Sequence, residues 1–436
     1  MANSTTYDVV IIGAGFAGLS ASALLANQGR RVVVLEQAAR LGGRASYFEQ
    51  DGFTWQYGQH SHRLAKDGIA AQVFDRLGDP LEFIDTRKDT AYLYFDGSLY
   101  PRPEGLLGFL RSSVLPLKAR FNFLRFFVKL LAQDAEDWYD RTFLDMYRQW
   151  HSDPYLERFL SFLSFTIMIP DPAMASAGEV IHFLKRAARA RVKQGEPKGG
   201  SKQVIEKLQR AIERGRGEIR LSEPAEAILV EHGRAVGVRT GVGEYRADRV
   251  VAAFPLFHLF ELISEDQFRP DFIDHVKGIR SSSGLSIDFV FDEPVTDIKG
   301  GILGVDVPLW VKFQSNIDTT IAPPGKHVTT WAMLFEPGAT ITKQLVDETE
   351  ARIKSIMEET IPGALAKVVR ERKLVLPVIN ANMLIPRQSY PHRPAIACEE
   401  VERLYFIGDT TQGDGCSGDI AFSSAMKLAN LIGLRD

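Results

Sequence analysis

At 436 residues with a formal net charge of -3, the chain is long enough for two substantial cores and offers no general attraction to nucleic acid. Two cysteines, Cys398 and Cys416, exclude a disulfide framework and fit a reducing compartment. The first apolar run begins after six residues, which leaves no room for a signal or transit peptide, and no uncharged apolar run approaches the ~20 residues of a spanning helix. The expected location is cytoplasmic, with contact at a membrane surface left open.

Tyr7 to Ile12 reads as a short buried parallel strand, stopped by Gly13-Ala14-Gly15-Phe16-Ala17-Gly18. Leu19, Leu24 and Leu25 then mark a helix ending near Gly29, and Arg31 to Leu35 reads as a second strand that delivers Glu36 and Gln37. Strand, glycine turn, helix, strand and acid is the order of a dinucleotide-binding βαβ unit. Gly13 permits the tight turn, Gly15 admits a pyrophosphate to the backbone, and Gly18 lets helix and strand pack closely. The helix start offers N–H donors to phosphate. Glu36 is placed to accept from ribose hydroxyls and would repel a 2′-phosphate, which argues against NADP.

The continuation Leu41-Gly42-Gly43-Arg44 resembles the extended motif of the FAD-containing amine oxidase, protoporphyrinogen oxidase and phytoene desaturase superfamily. The resemblance implies non-covalent FAD, with Gly42 and Gly43 beside it and Arg44 near its phosphates. It also implies that Gly58, Gln59 and His60 run past the flavin, with Gln59 where a proline is common. His60, His62 and Arg63 either bond loop carbonyls and cofactor phosphates or, for His60, act directly on substrate as a base.

From about Lys66 to Lys193 the chain turns helical and aromatic. Gly105 to Gln133 carries Arg111, Lys118, Arg120, Arg125 and Lys129 and no acid. Asn122, Arg125, Lys129 and Gln133 share a narrow stripe, and apolar residues cover the remainder. Such a helix is either buried on most sides or seated against lipid with its cations at headgroup level. Aromatic residues from Trp138 to Ile169 are either core or the lining of a tunnel for a long apolar substrate.

Glu196-Pro197-Lys198-Gly199-Gly200-Ser201 opens a helix with Val204, Leu208 and Ile212, followed by strands near 218–221, 225–230, 235–239 and 249–253. This order resembles the family's middle motif, in which Ala225 would meet the adenine. Ser286–Phe291, Leu309–Phe313 and Val328–Phe335 read as strands flooring a cavity, and 344–359 as an amphipathic helix. Lys312 falls in one of these strands, and its alignment with the family's flavin-proximal lysine stays open.

Arg403 to Asp409, then Gly413, Gly415, Gly418 and a helix from Asp419, resemble the final motif. There Gly408 and Asp409 would meet the ribityl chain and phosphate. Gly418, Asp419 and Ile420 would aim a helix N-terminus and free N–H groups at the flavin pyrimidine. Cys416 reads as a structural thiol, and no metal site is assigned.

The expected fold is α/β: a discontinuous Rossmann-type FAD-binding domain (1–65, 195–255, 395–436) and a mixed α+β substrate domain (66–194, 256–394). The expected activity is hydride transfer from a hydrophobic, isoprenoid or carotenoid-like substrate to the flavin, with oxygen or a quinone as electron acceptor. The Arg387-Gln388-Ser389-Tyr390 segment resembles the desaturase branch most. The alternatives are an amine or protoporphyrinogen oxidase, a redox-neutral isomerase and a non-catalytic flavin-binding subunit. An amine oxidase needs an aromatic cage, to which Trp55 and Tyr57 are the available contributors.

Overall fold

The computed structural model describes residues 7–58, 61–86, 90–190 and 194–433. Two seven-stranded sheets organise the chain. In the first, strands 218–220, 32–35, 7–12, 243–252 and 404–406 are parallel in that order. An antiparallel pair, 225–231 and 234–240, extends from the early part of 243–252.

Alternation along these strands feeds two cores. Val9, Ile11, Val32 and Val34 face the helices Phe16–Asn27, Ser201–Arg214 and Gly418–Gly433, where Leu19, Leu208 and Phe422 meet them. Val10, Ile12, Val33 and Leu35 face the opposite layer, with Ile228, Val238 and Leu256. The observed class is therefore the expected α/β one. The strand expected at 249–253 begins earlier, at Gly243, because its first half pairs as an antiparallel meander before the second half joins the parallel sheet.

The second sheet runs 368–376, 284–291, 327–334, 309–312, 302–304, 92–95, 98–101. Its neighbours are antiparallel except 302–304 beside 92–95. The helix Lys343–Thr360 covers one side of it through Ile353, Ile356 and Met357. A helical layer, 105–111, 117–131, 143–148, 154–164 and 177–189, builds a separate aromatic core. Among the described residues no helix is long and apolar enough to cross a membrane.

A buried ion pair ties the second sheet to the hairpin 47–50/53–56. Asp288 and Arg372 are opposite each other in the strand register, and Arg372 Nε donates to Asp288 at 2.7 Å. Thr330 donates to the other carboxylate oxygen at 2.6 Å, and Arg372 also reaches the Gln56 carbonyl. Removing one member of a buried pair leaves the other charge uncompensated. Arg372→Met is expected to lower unfolding stability by about 3–5 kcal/mol, read from urea denaturation. An unchanged midpoint would show that Asp288 does not depend on Arg372.

Candidate functional site

The glycine turn is built by exclusion. A Cβ on Gly18 would lie 1.9 Å from the Gly13 carbonyl oxygen, and one on Gly13, at φ +103°, would lie 2.9 Å from the Ala253 carbonyl oxygen. A Cβ on Gly15 would meet nothing within 4 Å. Gly15 also caps the helix Phe16–Asn27 without any side-chain hydrogen bond. Open space beside an uncapped helix start is what a pyrophosphate needs. Phe16 and Ala17, by contrast, are buried, with the Phe16 ring 4.9 Å from Phe422.

Glu36 is buried, and its carboxylate accepts from Ala14 N–H at 2.7 Å and Ala38 N–H at 2.8 Å. It thus fixes the turn, and each oxygen retains a lone pair for a ribose hydroxyl. Gln37 is exposed beside it. Ser222 and Glu223 N–H groups bond the Ala38 and Glu36 carbonyls, which brings the strand starting at Ala225 to this edge. Gly42 donates to the Ala14 carbonyl at 2.8 Å, and a Cβ on Gly43 would come 3.4 Å from Gly15 Cα. The Gly-Gly segment therefore lies directly on the glycine turn.

Arg44 and Asp409, both assigned to the cofactor from sequence, are partnered with each other. Two guanidinium nitrogens meet the two carboxylate oxygens at 2.7 Å, a bidentate fork linking the first and last segments. Ala381 N–H donates to the same carboxylate at 2.8 Å. Burial pushes Asp409 up, but Arg44 and these donors outweigh it and hold the acid below its usual range. Gly408, at φ +123°, has open space where a Cβ would stand, and donates to Ser424 Oγ at 2.9 Å. Gly58 is exposed near the Arg44 carbonyl. Gln59 and His60 lie outside the described residues.

The start of the last helix differs from expectation. Asp419 and Ile420 N–H groups were expected to be free for the flavin; they instead bond the Cys416 and Ser417 carbonyls at 3.1 Å. The cause is a turn at Ser417, φ +52°, that folds the preceding carbonyls under the first helical residues from Gly418. Cys416 is buried among apolar side chains, which pushes its thiol up to about 12, so it is protonated as a structural thiol should be.

Asp419 is the least satisfied acid of the site. Its carboxylate is buried, one oxygen has no hydrogen-bond partner, and Arg186 approaches only to 3.9 Å. Burial raises it to about 6 against the opposing charges of Arg186 and Arg63.

Sequence reasoning singled out Lys312 but missed the polar cluster around it. Glu196 and Lys312 form a buried ion pair that lines a small cleft with Gln56, Gln314 and Ile321. Gln56 accepts from Ser201 N–H at 2.9 Å and donates to Gln314 at 3.1 Å. Burial pushes Glu196 up, against the charge of Lys312. His62 is held between Phe16 and Phe422, and burial, reinforced by Lys312, lowers it to about 3, so it is neutral. The available signal was a lysine within an apolar strand and a glutamate immediately before a Pro-Lys-Gly-Gly turn. The Trp55 and Tyr57 rings, the available contributors to an amine cage, face the Arg372 guanidinium at 4.8 and 5.6 Å. An internal cation already occupies that position.

An acid whose folded pKa is raised binds its proton more tightly folded than unfolded, so stability falls as pH rises from about 4 to 6. The shift of Asp419 corresponds to about 3 kcal/mol lost above pH 6. In flavin-free protein, Asp419→Asn is expected to remove this slope and to raise the urea midpoint at pH 7–8. Identical pH profiles for variant and wild type would mean that Asp419 ionises normally.

Comparison with known proteins agrees with this geometry. Prolycopene isomerase of Daucus carota is 24% identical over 494 residues, 98% of this chain and 79% of the carrot protein. The neurosporene-forming phytoene desaturase of Rhodobacter capsulatus is 26% identical over 492 residues, 92% of this chain and 89% of that protein. The crystal structure of an oxidoreductase from Methanosarcina mazei superposes with a TM-score of 0.79 at 21% identity, covering 97% of this chain and 99% of that one. The family model for flavin containing amine oxidoreductase matches residues 16–432. With the glycine turn, Glu36 and the Arg44–Asp409 fork all inside or beside that span, the chain belongs to the flavin containing amine oxidoreductase family and is a flavin-dependent oxidoreductase.

Proposed function

We propose that the protein is a desaturase or dehydrogenase that holds FAD non-covalently and acts on a hydrophobic, isoprenoid or carotenoid-like substrate. The carrying observation is the apolar cluster of the helical layer. It includes Phe109, Phe123, Phe159, Phe162 and Ile167 together with Cys416 and Ile420 at the start of the last helix. A long apolar molecule replacing or parting these contacts would reach the site without desolvating charge. The names of the carrot and Rhodobacter relatives support the same substrate class.

A bound flavin would supply a hydride acceptor, so that one substrate carbon would lose hydride to it, its neighbour would lose a proton to a base, the role proposed for His60, and a double bond would form. Oxygen or a quinone would then remove the two electrons. The chain's own part is to orient and exclude water. Glu196 and Lys312 fix opposite charges at the cleft, and Gln56 and Gln314 lock the adjoining strand to the Gly200–Ser201 turn. The neutral His62 packs against Phe16 without adding charge. The amine-oxidase reading is weakened by Arg372 standing in the aromatic cage. Redox-neutral isomerisation is a second reading, supported by the name of the carrot relative.

The purified protein is expected to be yellow and to release a flavin of FAD mass on acid denaturation. Recovery of FMN, or of flavin attached to the denatured chain, would overturn this. Under anaerobic conditions a polyene should bleach the flavin where amines and porphyrinogens do not, giving a product two hydrogens lighter. A geometric isomer of unchanged mass would select isomerisation, and bleaching by amines alone would overturn the substrate class.

Glu36→Gln keeps one acceptor and loses the charge. A hydrogen bond to a charged group contributes about 1.5–3 kcal/mol, so FAD affinity is expected to fall about tenfold or more by titration of flavin-free protein. An unchanged dissociation constant would show that Glu36 does not hold the ribose.

A further inference from the structure

The helix Leu117–Leu131 was expected to be either buried on most sides or seated against lipid; it is buried only on the side of Ala119, Phe123, Phe126 and Leu130. Leu117, Phe121 and Val128 are 69%, 62% and 54% exposed. At about 100° per residue they fall within about 40° of one another, and Lys118, Arg125 and Lys129 occupy the adjoining exposed strip. Leu107, in the preceding helix Gly105–Arg111, is 67% exposed. No acid occurs between residues 105 and 133. Among the described residues no carboxylate pairs with Lys118 or Arg125.

We infer that this face seats the protein on an anionic lipid surface, with Leu117, Phe121 and Val128 in the acyl boundary and Lys118 and Arg125 at the headgroup phosphates, while Lys129 sets its ammonium over the Trp150 ring. Large apolar side chains at these exposures are kept in water only at a cost, and grouped ones mark a contact surface. Charge identifies the occupant. A second copy docked by a two-fold axis would present the same patch, setting cations against cations. A phosphate-bearing apolar layer satisfies both strips at once. No helix among the described residues is suited to span, so the contact is interfacial.

The inner side of the same helix is part of the apolar cluster that includes Ile420. On the substrate reading proposed above, a lipid-dissolved substrate would pass from the bilayer along that cluster without entering water. The docking itself does not depend on that reading.

The test is co-sedimentation of the flavin-loaded protein with phosphatidylglycerol–phosphatidylcholine vesicles and with phosphatidylcholine vesicles alone. Binding is expected on the anionic vesicles and should fall as salt rises, since exposed charges are screened beyond ~8–10 Å at physiological ionic strength. Phe121→Ser with Val128→Ser, and separately Lys118→Glu with Arg125→Glu, should each reduce bound protein about tenfold or more. Flavin content and melting temperature should stay unchanged, because all four side chains project into solvent. No binding at low salt would overturn the inference, as would binding unaffected by the serine pair or equal binding to neutral vesicles. A concentration-dependent dimer abolished by the serine pair would assign the face to a second copy instead. Flavin reduction by a detergent-dispersed polyene, unchanged in both variants, separates docking from chemistry: its failure in wild type would remove the substrate class and leave the vesicle result standing.

Discussion

Everything at the glycine turn hangs on the absence of a Cβ at Gly13, Gly15 and Gly18. Helix and strand approach until Gly18 would place a Cβ 1.9 Å from the Gly13 oxygen. That closeness lets Glu36, at the end of the second strand, reach the Ala14 amide, and lets Gly42 and Gly43 lie over Gly15. Steric exclusion sets the geometry first, and hydrogen bonds then hold it. Gly15 is the exception that gives the arrangement its use: open space there coincides with an uncapped helix start.

Charge is handled by pairing at long sequence separation. Arg44 and Asp409 meet across 365 residues, Glu196 and Lys312 across 116, and Asp288 and Arg372 across 84. Each links a segment of the first sheet's domain to another part of the chain, or two strands of the second sheet. Pairs buried in the manner of Glu196–Lys312 and Asp288–Arg372 contribute modestly to net stability, but they penalise any arrangement in which either partner is buried alone. Asp419 stands apart, because Arg186 stops short of hydrogen-bond distance and burial raises the acid to about 6.

Most of the fold was legible in the sequence, and the reason is local. The continuous apolar runs Val9–Ile12 and Val32–Leu35, and the glycine spacing at 13, 15 and 18, are determined by residues next to one another. What escaped depends on tertiary partners. Nothing near Glu196 announces Lys312, and nothing near Trp55 announces that Arg372 will occupy its ring face. The amides of Asp419 and Ile420 were assigned to a ligand because a helix start ordinarily leaves them free, whereas the turn at Ser417 supplies their acceptors. The helix 117–131 was ambiguous because periodicity records which residues are apolar and not which of them a neighbouring helix covers.

The order of strands in the first sheet has a consequence for biosynthesis. Strand 7–12 is synthesised well before one of its neighbours, 243–252, and 404–406 completes the parallel set later still. One edge of the largely apolar strand Tyr7–Ile12 therefore stays without its native partner until 243–252 is made, a state that is slow to resolve and prone to aggregation. Because Asp409 and the helix Gly418–Gly433 follow that strand, the Arg44–Asp409 fork that joins the two ends of the motif series closes only after the parallel set is complete.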